Sequence, residues 1–144
     1  MTIATKLDVV GMLAVELFQV GDKVLVNELA MRPHNSGHWS MDGAVTGQFE
    51  QHLRAVLDLP LGSTELTASW AVTENIVGSA QGDPTPEQVR AVMAIDRVHL
   101  HLYGKAPRPG RKIGHLTVLG DDLDETLARA RMAAAIMHGE GQDG

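Results

Sequence analysis

The pattern of apolar and polar residues near the start of the chain predicts a β-hairpin. Two nearly continuous apolar runs, Met12 to Gln19 and Lys23 to Ala30, flank the turn sequence Val20-Gly21-Asp22. Apolar runs of this length, bounded by turn residues, are typical of paired strands. Each run is interrupted by an acidic residue, and these two acids are the first candidates for chemistry.

Helical spacing of apolar residues predicts one short helix before the hairpin and a longer one after it. The first carries Ile3, Leu7 and Val10 and is expected to end at Gly11. The second, over residues 46–57, is expected to end at Leu59-Pro60, because the residue before a proline disfavours helix. Its apolar positions are Phe49, Leu53, Val56 and Leu57.

The remainder of the chain is predicted to form a small, mainly β lobe that begins at Leu61, so that the two domains are residues 1–60 and 61–144. Three strands are expected, at Thr67 to Gly78, Val98 to Tyr103 and Ile113 to Leu119. One helix begins at the capping box Thr85-Pro86-Glu87-Gln88. The terminal helix begins at Asp122-x-x-Glu125, and Gly139 to Gly144 is expected to fray.

Composition excludes several classes of protein and site. The chain has 144 residues, 44% of them apolar and 21% charged, as in ordinary globular domains. It has no cysteine, which excludes disulfides, thiolate zinc sites and a cysteine nucleophile. No apolar run approaches a membrane span, and the first ten residues lack a secretory h-region, so we expect a cytoplasmic protein without a membrane partner. Only five residues are aromatic, which argues against a surface that stacks on bases and hence against a nucleic-acid partner.

The distribution of charge is uneven. The net charge is −6, yet the segment from Arg97 to Gly120 carries five basic residues and no acid. A positive segment on an acidic chain suggests a local anion site, and the alternative is a solvated basic loop. Its bases are Arg97, Lys105, Arg108, Arg111 and Lys112, interleaved with glycines that allow a ligand close to the backbone. The order of residues is not that of a Walker loop.

The two acids of the hairpin, Glu16 and Glu28, are unfavourable in apolar strands unless each is paired, binds a metal or points to solvent. With a two-residue loop, Glu16 faces Asn27 and Glu28 points to the other side of the sheet. With a three-residue loop, Glu16 and Glu28 lie opposite each other, about 5 Å apart at Cβ, and need a cation between them. Oxygen ligands select a hard ion such as Mg²⁺, which usually shares its shell with phosphates.

An eight-residue polar loop, RPHNSGHW, follows the hairpin. It concentrates Arg32, His34, Asn35, Ser36 and His38 in a stretch punctuated by Pro33 and Gly37, a density typical of a binding loop. The proline and the glycine prevent the helix that would bring both histidines onto one zinc ion.

These strings resemble one known family. The stretch VELFQVGDKVLVNELAMRPHNSGHW, and later HLYGKAPRPGRKIGHLTVLG, is similar to the C-terminal part of the 5-(carboxyamino)imidazole ribonucleotide synthases, ATP-grasp ligases of purine biosynthesis. The resemblance covers about residues 1–120. Met31 stands where many members have proline, a form similar to actinobacterial members. The implied fold is α+β: the C-terminal half of an ATP-grasp domain followed by a small, mainly β lobe with a terminal helix.

The resemblance also implies roles for named residues. Glu16 and Glu28 match the two magnesium-binding glutamates, so Mg²⁺ with ATP as co-substrate is the implied cofactor. Asn27 and Glu28 match the ATP-contacting pair. Arg32, His34, Asn35 and Ser36 match the loop at the carboxyphosphate and ribonucleotide site, the first three as catalytic residues. Lys105, Arg111 and Lys112 match positions that hold the ribonucleotide phosphate.

Members of this family are several hundred residues long and typically dimeric, so the resemblance implies a truncated counterpart without the N-terminal and lid lobes. Two function classes follow. One is an ATP-dependent carboxylating ligase acting on ATP, bicarbonate and aminoimidazole ribonucleotide, and the other is a non-catalytic remnant that binds phosphates weakly or self-associates. The expected core is Val15, Leu17, Leu29, Phe49 and Leu53. Met12, Ala14 and Phe18 are expected near water, as a surface that favours a homodimer.

The carboxylate pair gives the sharpest structural expectation. We predict that Glu16 and Glu28 are near-opposite neighbours on one face of the hairpin, through an odd-length loop at Gly21 to Lys23.

Overall fold

The computed structural model describes residues 2–79 and 82–140, and the chain forms two compact units. Unit 1 is Met1–Glu65 and unit 2 is Leu66–Gly144. The sequence placed this division five residues earlier, between residues 60 and 61. Each unit combines helices with an antiparallel sheet, so the predicted α+β class is confirmed.

Unit 1 is built around the predicted hairpin. Its elements are α1 (Thr2–Lys6), β1 (Ala14–Val20), β2 (Lys23–Ala30), a 3₁₀ turn (Asn35–Gly37), α2 (Ser40–Gly43) and α3 (Gln48–Val56). Helix α1 ends earlier than predicted, and Asp8 just beyond it has a left-handed φ of 50°. Gly11 instead serves a close approach: its φ is 100°, and a Cβ there would collide with the His52 ring. His52 Nδ1 accepts a hydrogen bond from the Met12 amide at 3.0 Å.

The register of the hairpin is confirmed, but by a different route from the predicted one. The loop has two residues, since Val20 pairs with Lys23 around Gly21 and Asp22. The pairing then shifts by one residue after Leu17, which lies opposite Val26, so that Glu16 lies opposite Glu28. The prediction of an odd-length loop is therefore wrong. The extra residue is Asn27, which forms a β-bulge within β2.

The apolar side chains of the hairpin are exposed, contrary to the predicted core. Val15, Leu17 and Leu29 are each more than two-fifths exposed, and so are Phe49 and Leu53 of α3. The physical reason is that both faces of β1 and β2 are apolar, a pattern suited to a sheet covered on two sides. Within the described part of unit 1 this sheet has only two strands, too few to bury them.

Unit 2 contains the well-packed core. Its elements are β3 (Trp70–Val77), α4 (Pro86–Met93), β4 (Val98–Leu102), β5 (Lys112–Gly120) and α5 (Leu123–His138). The strand order is β3-β5-β4, all antiparallel, with β5 in the centre and α5 packed across β3 and β5. The core residues are Ile76, Val92, Val98, Ile113, Leu116, Val118, Ala130, Ala133 and Met137.

Both predicted helix starts in unit 2 are confirmed. Thr85 and Gln88 form a reciprocal capping box ahead of α4. Asp122 accepts a hydrogen bond from the Glu125 amide at the start of α5, and Gly139 ends that helix in a left-handed conformation. Residues 141–144 of the segment predicted to fray lie outside the described residues. Among the described residues, no helix has both the length and the apolar character that crossing a bilayer requires.

The buried centre of β5 should dominate the stability of unit 2. Leu116 is 0% exposed, so Leu116→Ala should lower the free energy of unfolding by about 2–5 kcal/mol through lost burial and a cavity. Urea unfolding followed by Trp70 fluorescence, in a Trp39→Phe background, reports on this unit. The control is Met132→Ala, at a half-exposed position of α5, which should change stability by about 0.5 kcal/mol or less. Equal losses in the two variants would contradict this assignment of the core.

Candidate functional site

The hairpin and the loop that follows it bring two carboxylates and an imidazole together. Glu16 and Glu28 face each other across the strands, and His34 reaches them from the loop. One side-chain oxygen or nitrogen atom from each of the three lies within 4.8 Å of the others. The two carboxylates supply hard oxygen ligands suited to a divalent cation, and the imidazole is hydrogen-bonded to one of them. The bulge at Asn27 creates this arrangement, because without it the two carboxylates would project from opposite faces.

Two polar neighbours hold the carboxylates. The Asn27 side-chain amide donates to Glu16 Oε2. The Arg32 guanidinium lies 3.9 Å from Glu28 Oε1, in a solvent-exposed ion pair. Arg32 Nη1 also donates a hydrogen bond to the Pro33 carbonyl at 3.0 Å. The exposed guanidinium therefore lies beside the carboxylates and remains accessible to an anion.

His34 is the buried member of the cluster, with 8% of its surface exposed. Its Nε2 lies 2.8 Å from Glu28 Oε1. Because an ionised carboxylate can only accept, Nε2 carries the proton and Nδ1 is the acceptor. Nδ1 accepts from the Ser36 amide at 3.3 Å and from the Ser36 hydroxyl at 2.8 Å. Ser36 therefore fixes the tautomer that allows His34 to orient the Glu28 carboxylate.

Gln48 is a residue of this site that the sequence did not single out. It is 3% exposed. Its Oε1 accepts from the His34 amide at 2.9 Å, and its Nε2 donates to the His34 carbonyl at 2.8 Å. The second Nε2 hydrogen points to His38 Nδ1, also at 2.8 Å. The Gln48 side chain thus satisfies both the backbone amide and the carbonyl of His34, as a neighbouring β-strand would. The only sequence signal for it was a polar residue in the first turn of a predicted helix.

The glycine of the loop permits this contact. A Cβ at Gly37 would collide with the side-chain oxygen of Gln48. Ser40 supports the same contact, since its hydroxyl donates to the Gly37 carbonyl and accepts from the backbone amide of Gln48. Asn35 opens the 3₁₀ turn with its side chain at the exposed surface. A small pocket beside the loop is lined in part by Ala14, Val15, Arg32, His34 and Ser36, which leaves space for a small ligand.

The basic segment forms a second candidate site, in unit 2. Arg111 Nη1 donates to the Ala106 carbonyl at 3.2 Å, and the Gly78 amide donates to the Arg111 carbonyl at 2.7 Å. Gly78 allows the chain to pass closely, since a Cβ there would lie 2.8 Å from the Arg108 carbonyl oxygen. The end of β3 therefore anchors the loop that carries Arg108 and Arg111. Lys105 and Arg111 are exposed, and Lys112, the first residue of β5, is half-buried.

Tyr103 lies at the centre of this basic segment. The Lys105 Nζ lies 5.2 Å from its ring centroid and the Lys112 Nζ lies 5.7 Å from it. Burial lowers the pKa of Lys112, and the charge of Lys105 lowers it further. Burial raises the pKa of Tyr103, so its phenol stays neutral near pH 7 and does not neutralise the lysines. The geometry is that of two neighbouring cations, a suitable partner for a doubly charged anion.

Most of the predicted site residues therefore fall into two groups, each assembled within its own unit. Glu16, Asn27, Glu28, Arg32, His34 and Ser36 form the first group. Lys105, Arg111 and Lys112 lie on the second, with Arg108 as a further base on the same loop. His99 and His101, the two histidines of β4, belong to neither group. His101 stacks on the buried His115 at a ring separation of 4.6 Å.

Two family models match the chain, in the order of its two units. Residues 1–49 match the ATP-grasp domain, and residues 71–129 match the phosphoribosylaminoimidazole carboxylase C-terminal domain. The first match covers the carboxylate cluster, and the second covers the basic segment.

Individual proteins agree with these matches. The chain is 52% identical to the N5-carboxyaminoimidazole ribonucleotide synthase of Mycobacterium tuberculosis, over 99% of this chain and 34% of the relative. The corresponding structure from Thermotoga maritima has a TM-score of 0.82 at 43% identity, covering 94% of this chain and 38% of that one. The Aspergillus clavatus enzyme, solved with ADP and 5-aminoimidazole ribonucleotide, has a TM-score of 0.73 at 35% identity, covering 86% and 34%. The chain therefore belongs to the N5-carboxyaminoimidazole ribonucleotide synthase family and spans about a third of the length of these relatives.

Proposed function

We propose that this chain contributes the metal-binding and phosphate-binding part of an ATP-dependent carboxylating ligase. The reaction converts aminoimidazole ribonucleotide, bicarbonate and ATP into N5-carboxyaminoimidazole ribonucleotide, ADP and phosphate, with carboxyphosphate as the intermediate. The observation that carries the proposal is the bulged register that places Glu16 opposite Glu28, with His34 beside them. The Aspergillus clavatus relative, with its ADP and aminoimidazole ribonucleotide, supports the choice of substrates.

The carboxylate cluster fits the magnesium ion that ATP-grasp ligases use. Glu16 and Glu28 supply hard oxygen ligands on one face, within reach of a single ion. When bound, magnesium neutralises negative charge on the phosphates during phosphoryl transfer. Asn27, held against Glu16, and Glu28 itself would contact ATP.

The loop residues have separate tasks in this proposal. Arg32 presents an exposed guanidinium beside the cluster, suited to hold carboxyphosphate as it forms. His34 keeps its proton on Nε2 and so fixes the Glu28 carboxylate. Asn35 and Ser36 lie on the same turn, where their side chains can contact the ribonucleotide. The side chain of Gln48 braces the loop at the backbone of His34 and so supports this geometry.

The basic segment would hold the phosphate of the ribonucleotide. Lys105, Arg111 and Lys112 supply three cationic groups, and Lys and Arg are the usual protein partners of phosphate. The reaction would take place in the cytoplasm, as expected for an acidic chain without cysteine.

A second candidate function is a non-catalytic domain that binds phosphates weakly and self-associates. The exposed apolar faces of the hairpin favour it, since surfaces of this kind are normally covered by a partner. Both functions predict phosphate binding, so metal binding and turnover separate them.

Metal binding tests the carboxylate cluster directly. With Mn²⁺ as the probe, Glu16→Gln or Glu28→Gln should weaken binding at least about tenfold, because each removes one anionic ligand. Electron paramagnetic resonance of free Mn²⁺ measures the affinity. The matched control is Glu50→Gln, which removes an acid of the same unit that is paired with Arg54 outside the cluster. Unchanged affinity in both cluster variants would refute the metal assignment.

Turnover by these 144 residues alone should be negligible. The relatives are about three times as long, and positioning of all substrates in a water-excluded site supplies much of the rate. The measurement is ADP release with bicarbonate, with and without aminoimidazole ribonucleotide.

Adding a polypeptide that carries the other two-thirds of the Mycobacterium tuberculosis relative should restore ribonucleotide-dependent release of ADP, and Glu28→Gln in this chain should abolish that release. Efficient turnover by the chain alone would show that the remaining two-thirds are dispensable. Failure of every combination would favour the non-catalytic candidate.

Association in solution should follow from the exposed hairpin. Phe18 is 54% exposed and Leu25, its cross-strand partner, is 50% exposed, while Met12 and Ala14 are half-buried. We expect a homodimer by light scattering, because pairing the hairpins removes apolar surface from water. Phe18→Ser should shift the equilibrium towards monomer. Met132→Ser, at an equally exposed position of unit 2, should not. A wild-type monomer at high concentration would contradict the expectation.

A further inference from the structure

The arrangement of cations around Tyr103 calls for an explanation. Two ammonium groups on neighbouring segments repel each other, and the pKa of Lys112 is lowered first by burial and then by this repulsion. Both nevertheless lie within 6 Å of the centroid of the same aromatic ring. A ring face attracts cations through its quadrupole, so the Tyr103 ring offsets the repulsion and draws both lysines to one place.

Tyr103 is held at its backbone amide and at its hydroxyl. The Tyr103 amide donates to the Ile113 carbonyl at 2.9 Å, which extends the β4–β5 pairing by one residue. Its hydroxyl lies 2.6 Å from Nδ1 of His115, a fully buried residue of the central strand. His115 is in turn stacked against His101 of β4. The ring therefore has a fixed position relative to the sheet, although the loop after it is exposed.

We propose that Tyr103 is the positioning residue of a two-lysine phosphate clamp, holding Lys105 and Lys112 as a preformed pair for the phosphate of a sugar-phosphate ligand. This inference rests on the proposed function, which assigns both lysines to the ribonucleotide phosphate. It adds that the affinity of the clamp depends on a residue that does not touch the ligand. Preformed donors bind more tightly because less side-chain freedom is lost on binding.

Nuclear magnetic resonance tests the arrangement without any ligand. The ε-methylene protons of Lys105 and Lys112 should resonate upfield of those of Lys23, because they lie over an aromatic ring and Lys23 lies in the hairpin turn. Tyr103→Phe keeps the ring and should keep the upfield shifts. Tyr103→Leu removes the ring and should bring both signals to the position of Lys23.

Binding tests the function of the arrangement, with ribose 5-phosphate as the probe and ribose as the uncharged control. Tyr103→Leu should weaken binding of ribose 5-phosphate about five- to thirtyfold, the loss expected for two cation–π contacts. Tyr103→Phe should stay within about threefold of wild type. Lys105→Ala should lose affinity, and Lys23→Ala should not. Thermal unfolding of each variant confirms that the sheet is intact.

The outcomes separate this inference from the proposed function. If wild type and Tyr103→Leu bind ribose 5-phosphate equally while both are folded, the positioning role is refuted and the phosphate site stands. If wild type lacks the upfield lysine signals, the positioning role is likewise refuted.

If folded wild type does not bind ribose 5-phosphate at all, the phosphate assignment fails and the clamp fails with it. If Tyr103→Leu unfolds, Tyr103→Met, which also removes the ring, takes its place: a five- to thirtyfold loss of affinity supports the positioning role, and affinity within about threefold of wild type overturns it.

Discussion

The β-bulge at Asn27 is the feature on which the first site depends. Side chains alternate between the faces of a strand, so a regular two-residue hairpin would send Glu16 and Glu28 to opposite sides. One extra residue in β2 brings them onto the same face and frees the Asn27 amide to hold Glu16. Bulges commonly redirect side chains next to active sites, and this one places two carboxylates opposite each other on one face of the hairpin.

The second constraint is the pairing between Gln48 and the backbone of His34. A polar loop of eight residues would ordinarily sample many conformations, and this one contains a single 3₁₀ turn. Gln48 satisfies both backbone groups of His34 and contacts His38, while the missing side chain of Gly37 leaves room for its amide. A residue of helix α3 thereby sets the position of an imidazole that lies against Glu28. Loss of this brace would disturb the cluster without removing any ligand.

Local signals in the sequence predicted most elements correctly, and they predicted that Glu16 and Glu28 lie opposite each other. Thr85 and Gln88, and Asp122 with Gly139, have their structural consequences within one helical turn, so the helix ends could be read directly. The opposed glutamates were predicted, but the loop length was not, because a bulge is visible only once the partner strand is fixed. The assignment of Val15, Leu17 and Leu29 to the core was wrong, because all three are exposed. An apolar strand indicates that its face needs to be covered, but the pattern does not say which residues cover it. Gln48 and Tyr103 escaped notice because their importance arises from contacts distant in the sequence.

The exposed hairpin has a further consequence for the behaviour of the protein in concentrated solution. A two-stranded sheet has two free edges, and an apolar strand with a free edge can template the addition of strands from other molecules. Charged residues that interrupt such strands act as gatekeepers against this growth. In β1 the only charged residue is Glu16, and in β2 Glu28 is the only charge besides Lys23 at the turn. The two carboxylates of the proposed metal site therefore also limit aggregation of the hairpin.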